Sequence, residues 1–571
     1  MTHLYELGEL GRRLCGNNVE LALADMAAQH VVERIWARDH TVWKPTANEI
    51  GNRLGWLRIG DEMQLYLDWL GEFVQTLRAD SYTNAVLLGM GGSSLAPELF
   101  HKTFGARPGF LDLIVLDSTD PGAVLAATEG LDLNCTLFIV SSKSGDTVET
   151  LSFFKYFYGQ VASVVGIEGA GKHFVAITDP HKPLADLATR CAFRMTFLAD
   201  ANIGGRYSAL SYFGLVPAAL MGLDLPLLLD RAGALARTCT PQVALTDNPG
   251  AQLGAALACA ASVGRDKLTF VTSAGLASFG DWVEQLIAES TGKEGKGIVP
   301  VVGEPLAAPS LYSGNDRVFV QLRLQGEPAE DATLDALEDA GQPVIRLALR
   351  DAYDVGGQFF LWEMATAVAG HLMGINPFDQ PNVEAAKALA RSVVAEFRSR
   401  GALPSDPPTL TGQGVGVYAA PGGAGKPPAS PVDALRDFVG QAKAGDYVAI
   451  QAYVQPTAAA GAALQSLRLH LRDRLKLATM LGYGPRFLHS TGQLHKGDAG
   501  RGLFIQITAD SPRDVPVPDE AGRPESSISF GVLKMAQALG DRQALLDAGR
   551  RVIRFHLEDV VSGLDYLTRG L

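Results

Sequence analysis

Cysteine is scarce. The 571-residue chain has five (Cys15, Cys135, Cys191, Cys239 and Cys259), far apart and without a Cys-x-x-Cys pair. That spacing excludes a zinc knuckle, a redox dithiol and a disulfide scaffold, and it fits a reducing, cytoplasmic compartment. Histidine pairs at metal-ligand spacing are missing too: there is no His-x-His and no His-x-x-x-His. Chemistry without a metal or other cofactor is therefore expected. Positive charge is in deficit, with 49 Lys and Arg against 62 Asp and Glu and a formal charge of -13. Such a chain is a poor general binder of nucleic acid or anionic membranes, which demand clustered cations; any phosphate it takes is small and held locally. Long hydrophobic runs are absent as well. The most apolar stretch, residues 209–223 (ALSYFGLVPAALMGL), falls short of the roughly 20 residues a spanning helix needs, and Asp224 follows it. A buried helix is the reading. The opening MTHLYELGELGRRL has no basic start followed by an apolar run and a small-residue cleavage site, so no signal peptide is expected.

What is present is core material. Hydrophobic residues make up 47% of the chain and charged residues 19%, too apolar for disorder and enough for roughly three to four average domains. Residues 1–80 read as a helical N-terminal segment. Short apolar runs then begin: AVLLG (85–89), LDLIVLD (111–117), TLFIVSS (136–142) and HFVAITD (173–179). Helix-compatible stretches separate them, the pattern of a parallel sheet covered on both faces. This predicts a first α/β subdomain over 81–225. The runs KLTFVTS (267–273), RVFVQLR (317–323) and PVIRLAL (343–349) predict a second over 226–402. Residues 403–431 are rich in Pro, Gly, Ala and Ser and read as a mobile loop or linker. Residues 432–571, with strands at 446–454 and 502–508 and a helix around 464–481, are expected to complete the second subdomain. The fold class is thus α/β, with two doubly wound, mainly parallel subdomains and helical segments at both ends.

Two loops could hold an anion. Gly89-Met90-Gly91-Gly92-Ser93-Ser94 follows the first apolar run and opens a helix. Its glycines let backbone N–H groups turn toward a phosphate, with Gly92 and Ser93 nearest. The sixth position is Ser, so this is no dinucleotide fingerprint, and the Lys-Ser/Thr of a triphosphate loop is missing. By itself it is as compatible with an ordinary tight turn. The second loop, Ser141 to Thr150 (SSKSGDTVET), clusters Ser142, Lys143, Ser144, Thr147 and Thr150 at another helix start. Those groups are either donors to a phosphate monoester or a capping box with Glu149 in the first turn. Two such loops at the carboxyl ends of strands in one sheet favour the phosphate, because open α/β sheets bind ligands there.

These motifs, followed by NIGGRYSALS (202–211), WVEQLIAESTGKEGKG (282–297) and GINPFDQPNVEAAK (374–387), stand in the order found in glucose-6-phosphate isomerases. Over residues 40–400 the chain resembles that family. Its later part, with the Pro-rich connector and HSTGQLHKG, is most similar to the isomerase half of transaldolase–isomerase fusions, although the chain is too short to add a transaldolase barrel. The resemblance implies a sugar-isomerase-type fold, cytoplasmic carbohydrate metabolism, a homodimer, and a small sugar phosphate as substrate. It assigns Glu289, in Ala-Glu-Ser-Thr-Gly-Lys, as the base that moves a proton between C2 and C1; Gln285, one turn earlier, matches a ligand-contacting position. Arg206, after Gly204 and Gly205, would stabilise the cis-enediolate, since a guanidinium keeps its charge and cannot compete as an acid. Lys387 would act with a histidine in opening the sugar ring. Read without the family, Glu289 and Lys387 would both pass for surface charges.

The histidine departs from the family pattern. Between Glu289 and Lys387 the chain offers only His371, in an apolar helical run. The preferred candidate is His495 in the downstream HSTGQLHKG segment, with His489 as the alternative and a sugar contact. Two other readings remain open at this level: an isomerase for a related sugar phosphate such as mannose 6-phosphate or an amino sugar, and a sugar-phosphate-binding module without catalysis.

Overall fold

A computed structural model describes residues 18–404, 407–419 and 427–571. Cys15, the opening residues and parts of the Pro/Gly-rich stretch lie outside the described residues. Five strands form the first sheet: β1 (Asn84–Leu88), β2 (Asp112–Leu116), β3 (Thr136–Ser141), β4 (Phe174–Thr178) and β5 (Met195–Leu198), in the order β2-β1-β3-β4-β5. All neighbours are parallel; Leu88 of β1 pairs with Leu116 on one side and Val140 on the other. The central strands β3 and β4 are buried along their whole length, as continuous apolar runs covered by helices on both faces must be.

The second sheet contains β6 (Lys267–Thr272), β7 (Val299–Val301), β8 (Arg317–Leu324) and β9 (Val344–Leu349), ordered β7-β6-β8-β9 and again parallel throughout. The third begins with the hairpin β10 (Leu410–Gly412) and β11 (Val415–Tyr418), and continues with β12 (Tyr447–Tyr453), β13 (Ala478–Tyr483) and β14 (Gly502–Ala509). A two-stranded ribbon of β15 (Pro516–Val517) and β16 (Ile528–Ser529) precedes its last strand, β17 (Arg551–Leu557). The order is β10-β11-β17-β14-β12-β13, with the four later strands parallel and β11 antiparallel to both of its neighbours, β10 and β17.

The α/β class holds, and the number of units changes. The C-terminal segment does not add strands to the second sheet; it builds a third sheet with a core of its own, centred on Leu435, Leu464, Ile505 and Phe555. In each sheet the first parallel strand of the unit lies between the second and third, so the same reversal of strand order occurs three times. The stretch read as a loop or linker instead contributes β10 and β11 to the edge of that sheet. Alternating residues there satisfy the pairing requirement, Val415 and Val417 pointing into the core while Gly416 and Tyr418 are half-buried. The helix expected to reach residue 481 stops at Leu475, where Lys476 takes a left-handed conformation, and residues 478–483 become β13.

The first two units and the N-terminal helices share one apolar core, running from Val31 and Trp56 through Phe100 and Leu215 to Trp362. The 209–223 stretch is indeed a buried helix, Tyr212–Leu220. A smaller cluster of Ala288, Val301, Tyr447, Leu494 and Phe504 joins the second unit to the third. All three units therefore meet around the helix Phe279–Thr291. Among the described residues no helix is long and apolar enough to cross a membrane, and no group of three or more His, Cys, Asp or Glu is placed to hold a metal ion.

Candidate active site

The first sheet reverses its order between β1 and β3, and the loops that leave those two strands lie side by side. Ser141 Oγ donates to the Ser93 carbonyl at 3.2 Å. In the β1 loop, Gly91 has φ +54°, and a Cβ there would lie 2.8 Å from the His489 carbonyl oxygen and 2.9 Å from Gln285 Nε2. A Cβ on Gly92 would fall 2.1 Å from the Gly205 carbonyl oxygen. No side chain fits at either position, because three segments from distant parts of the chain close on this turn. Gly205 itself opens onto free space on its Cα face.

The β3 loop presents its hydroxyls at the start of the helix Val148–Val165, where the helix dipole and unpaired N–H groups favour an anion. Ser142 Oγ lies 2.9 Å from Thr147 Oγ1 and accepts from Gly145 N at 3.1 Å. Ser144 is exposed and donates to Asp146. Thr150 is fully buried, with a hydroxyl that has no hydrogen-bond partner among the described residues. Lys143 departs from its expected place: its ammonium is tied to Asp179 and to the Ala201 carbonyl. Burial pushes its pKa down while Asp179 pulls the other way.

Arg206 sits in the short turn Gly205–Tyr207 and is 3% exposed. Its fork is fully engaged: Nε donates to Ser290 Oγ at 2.8 Å, and one terminal nitrogen to the Gln380 side chain at 3.1 Å. The other terminal nitrogen donates to the Pro377 and Asp379 carbonyls at 2.7 and 3.0 Å. Glu289, near the end of the helix that follows β6, approaches the guanidinium to 3.4 Å. Its second oxygen accepts from Gln285 Nε2 at 3.0 Å, and that amide also donates to the His489 carbonyl at 2.7 Å. The expected base, cation and amide are thus one bonded cluster. Lys293, four residues past Glu289, is buried against Asp379; desolvation and the nearby Arg206 bring its pKa to about 8.

His489 comes from the third unit, in the turn after β13, and its Nε2 lies 3.0 Å from Glu149 Oε1. Desolvation works against the Glu149 charge, but the His489 imidazole, a backbone hydrogen bond and Lys387 together hold the carboxyl below its ordinary range. The sequence presents Glu149 as a capping acid; its position between two threonines in a hydroxyl cluster is the available signal for more. Lys387 occupies the first turn of the helix Glu384–Arg400, pairs with Glu384 at 2.9 Å, and its charge reaches Glu149.

His495 does not join this group. The helix Gly492–Gly497 turns it inward, where it is 2% exposed and its ring stacks edge-on with Phe504 at 4.9 Å. Its Nδ1 bonds Gln451 at 3.2 Å and its Nε2 has no partner among the described residues. Desolvation, then Lys496 and Arg550, hold it well below the usual imidazole range, so it stays neutral. The stretch between the two histidines carries the chain from His489, beside Glu149, to His495 in the core. His371 is bonded to the Val42 carbonyl at 2.7 Å, away from the cluster.

The chain is similar to known proteins. The family model described as phosphoglucose isomerase matches residues 61–294. A glucose-6-phosphate isomerase of Rubrobacter xylanophilus is 32% identical over 367 residues, covering 56% of this chain and 84% of that protein. One from Campylobacter jejuni is 27% identical over 377 residues, covering 57% and 89%. A solved structure of a hypothetical protein from Thermus thermophilus superposes with a TM-score of 0.55 at 27% identity, covering 67% of this chain and 98% of that one. Shared sequence over most of those relatives, together with a joined Arg206–Glu289–Gln285 cluster, places this chain in the glucose-6-phosphate isomerase family.

Proposed function

We propose that this chain reversibly isomerises glucose 6-phosphate and fructose 6-phosphate, with Glu289 as the proton-transferring base. The carrying observation is the placement of the Glu289 carboxylate, 3.4 Å from Arg206 and 3.0 Å from Gln285, beside two hydroxyl-bearing loops at the switch point of the first sheet. The substrate phosphate is held by the β3 loop through Ser142, Ser144, Thr147 and Thr150 and the amides of that helix start, with Gly92 and Ser93 closing the other side. Lys143 supports this loop from behind through Asp179.

Glu289 takes the proton from C2 of the open-chain aldose and returns it to C1. The electron pair left behind becomes a cis-enediolate, whose oxygen charge faces the fixed Arg206 guanidinium. Because four protein groups already hold that fork, the charge needs no reorganisation when the intermediate forms. His489, oriented by Glu149 and assisted by Lys387, opens the sugar ring by exchanging a proton between O1 and O5. The chain works in the cytoplasm, and a homodimer is part of the same proposal.

A coupled assay on fructose 6-phosphate, with Glu289→Gln as control, tests the reading. Turnover by the parent chain and its loss in the variant support it; turnover that survives in the variant removes Glu289 as base. Parallel assays on mannose 6-phosphate and glucosamine 6-phosphate decide between neighbouring sugars.

A further inference from the structure

The helix Phe530–Asp547 belongs to the third unit and lies beyond the residues that match the family model. Its residues Lys534, Gln537 and Asp541, three and four positions apart, share one face. Their exposures are 2%, 4% and 0%. Burying such groups is costly unless each has a partner, and here each does. Lys534 donates to Asp120 Oδ2 at 2.9 Å, and Asp541 accepts from Lys496 at 2.5 Å. Between them, Gln537 Nε2 donates to Glu149 Oε1 at 2.6 Å, and Gln537 Oε1 accepts from Thr119 Oγ1 at 2.8 Å.

The Glu149 carboxylate sets the orientation of this amide. An ionised carboxylate only accepts hydrogen bonds, so the nitrogen faces Glu149, and the oxygen on the other side accepts from the Thr119 hydroxyl. Glu149 Oε1, the atom held by Gln537, is the same atom that faces His489 Nε2. A ring nitrogen bound to that carboxylate carries the hydrogen, which leaves Nδ1 as the nitrogen for exchange with a substrate.

We propose that Gln537, locked by Thr119, is a positioning residue that fixes the Glu149 carboxylate and through it the tautomer and basicity of His489. The proposal deepens the isomerase reading and rests on it for its effect on turnover. The polar face of a third-unit helix thereby becomes part of the ring-opening apparatus without touching the sugar.

The test compares the parent chain with Gln537→Met, similar in volume but without a donor, and with Thr119→Val, which removes the hydroxyl that holds the amide oxygen. The His489 side-chain NMR signal, identified by its loss in His489→Gln, is titrated in each. With one donor removed, the carboxylate presents more negative charge to the imidazole, and the His489 midpoint rises by about one pH unit in Gln537→Met and by less in Thr119→Val. In the same variants kcat on fructose 6-phosphate falls about tenfold while KM stays within about twofold, the mark of lost orientation and not of lost binding. Should Gln537→Met fail to fold, Thr119→Val carries the same readout. An unmoved His489 midpoint in the folded variants overturns the proposal. A moved midpoint in a chain whose parent form turns over none of the sugar phosphates overturns the isomerase reading instead and leaves the coupling intact.

Discussion

His489 Nε2 stands 3.0 Å from Glu149 Oε1, although the two residues lie 340 positions apart in the chain. One partner follows β13 at the edge of the third sheet; the other opens a helix behind the central strand of the first sheet. The pair is largely buried, the side chains being 19% and 5% exposed, so each group depends on the other for the hydrogen bonding that burial removed.

This pairing predicts a split between substrates. His489→Gln should lower turnover of ring-closed fructose 6-phosphate by about 10²-fold or more, within the span for loss of a general acid or base. Turnover of a substrate held in open-chain form should fall far less. Equal losses on both would remove ring opening as the role of His489.

The two histidines of the HSTGQLHKG segment should behave oppositely. His495→Leu removes a neutral ring with an unpartnered Nε2 from an apolar setting beside Phe504. Activity should stay within about threefold of the parent, while the thermal midpoint should fall, since the swap leaves the buried Gln451 amide without its partner. A loss of turnover comparable to that of His489→Gln would return His495 to the chemistry.

Arg206→Lys keeps the charge and loses the fork. A single ammonium cannot serve Ser290, Gln380 and the two carbonyls together, and Arg-to-Lys changes at such sites are not conservative. We expect kcat to fall by about 10²-fold with a smaller change in KM, together with a lowered thermal midpoint from the deserted carbonyls. Steady-state kinetics and scanning calorimetry read the two effects separately.

Glu284 makes stability depend on pH. Desolvation, reinforced by Asp281, raises its carboxyl from 4.5 to about 8, against pulls from Arg486 and Arg468. A carboxyl raised on folding is ionised more readily in the unfolded chain, so its stabilising contribution is present below the unfolded value and is lost as pH climbs toward the folded one. The thermal midpoint should decline between about pH 5 and pH 8, and Glu284→Gln should flatten that decline by about 2–4 °C. A slope identical in both proteins would exclude Glu284 as its source.

Much of the first two units was legible in the sequence because their strands are buried on both faces and so appear as uninterrupted apolar runs. Strands β1, β3, β4, β6, β8 and β9 fall within a residue or so of the expected runs. Short or edge strands escaped: β5 has only one buried position, Phe197, and β7 is three residues long. The hairpin β10–β11 was hidden in a Pro/Gly-rich composition, and β13 behind a helical pattern that Lys476 ends.

Residue types and spacing by themselves determined the chemistry that could be assembled: a carboxylate at Glu289, a permanent cation at Arg206, hydroxyl-rich turns after β1 and β3, and the absence of metal-ligand pairs. Those are local properties, fixed by what each side chain can donate, accept or ionise. Only the tertiary structure decided which groups face one another. It set His489, not His495, beside Glu149, gave Glu149 a partner instead of a cap, turned Lys143 onto Asp179, and set Gln537 against Glu149. Each of those choices depends on how helices and turns from separate units pack, and contacts between residues hundreds of positions apart leave no periodic trace in either segment.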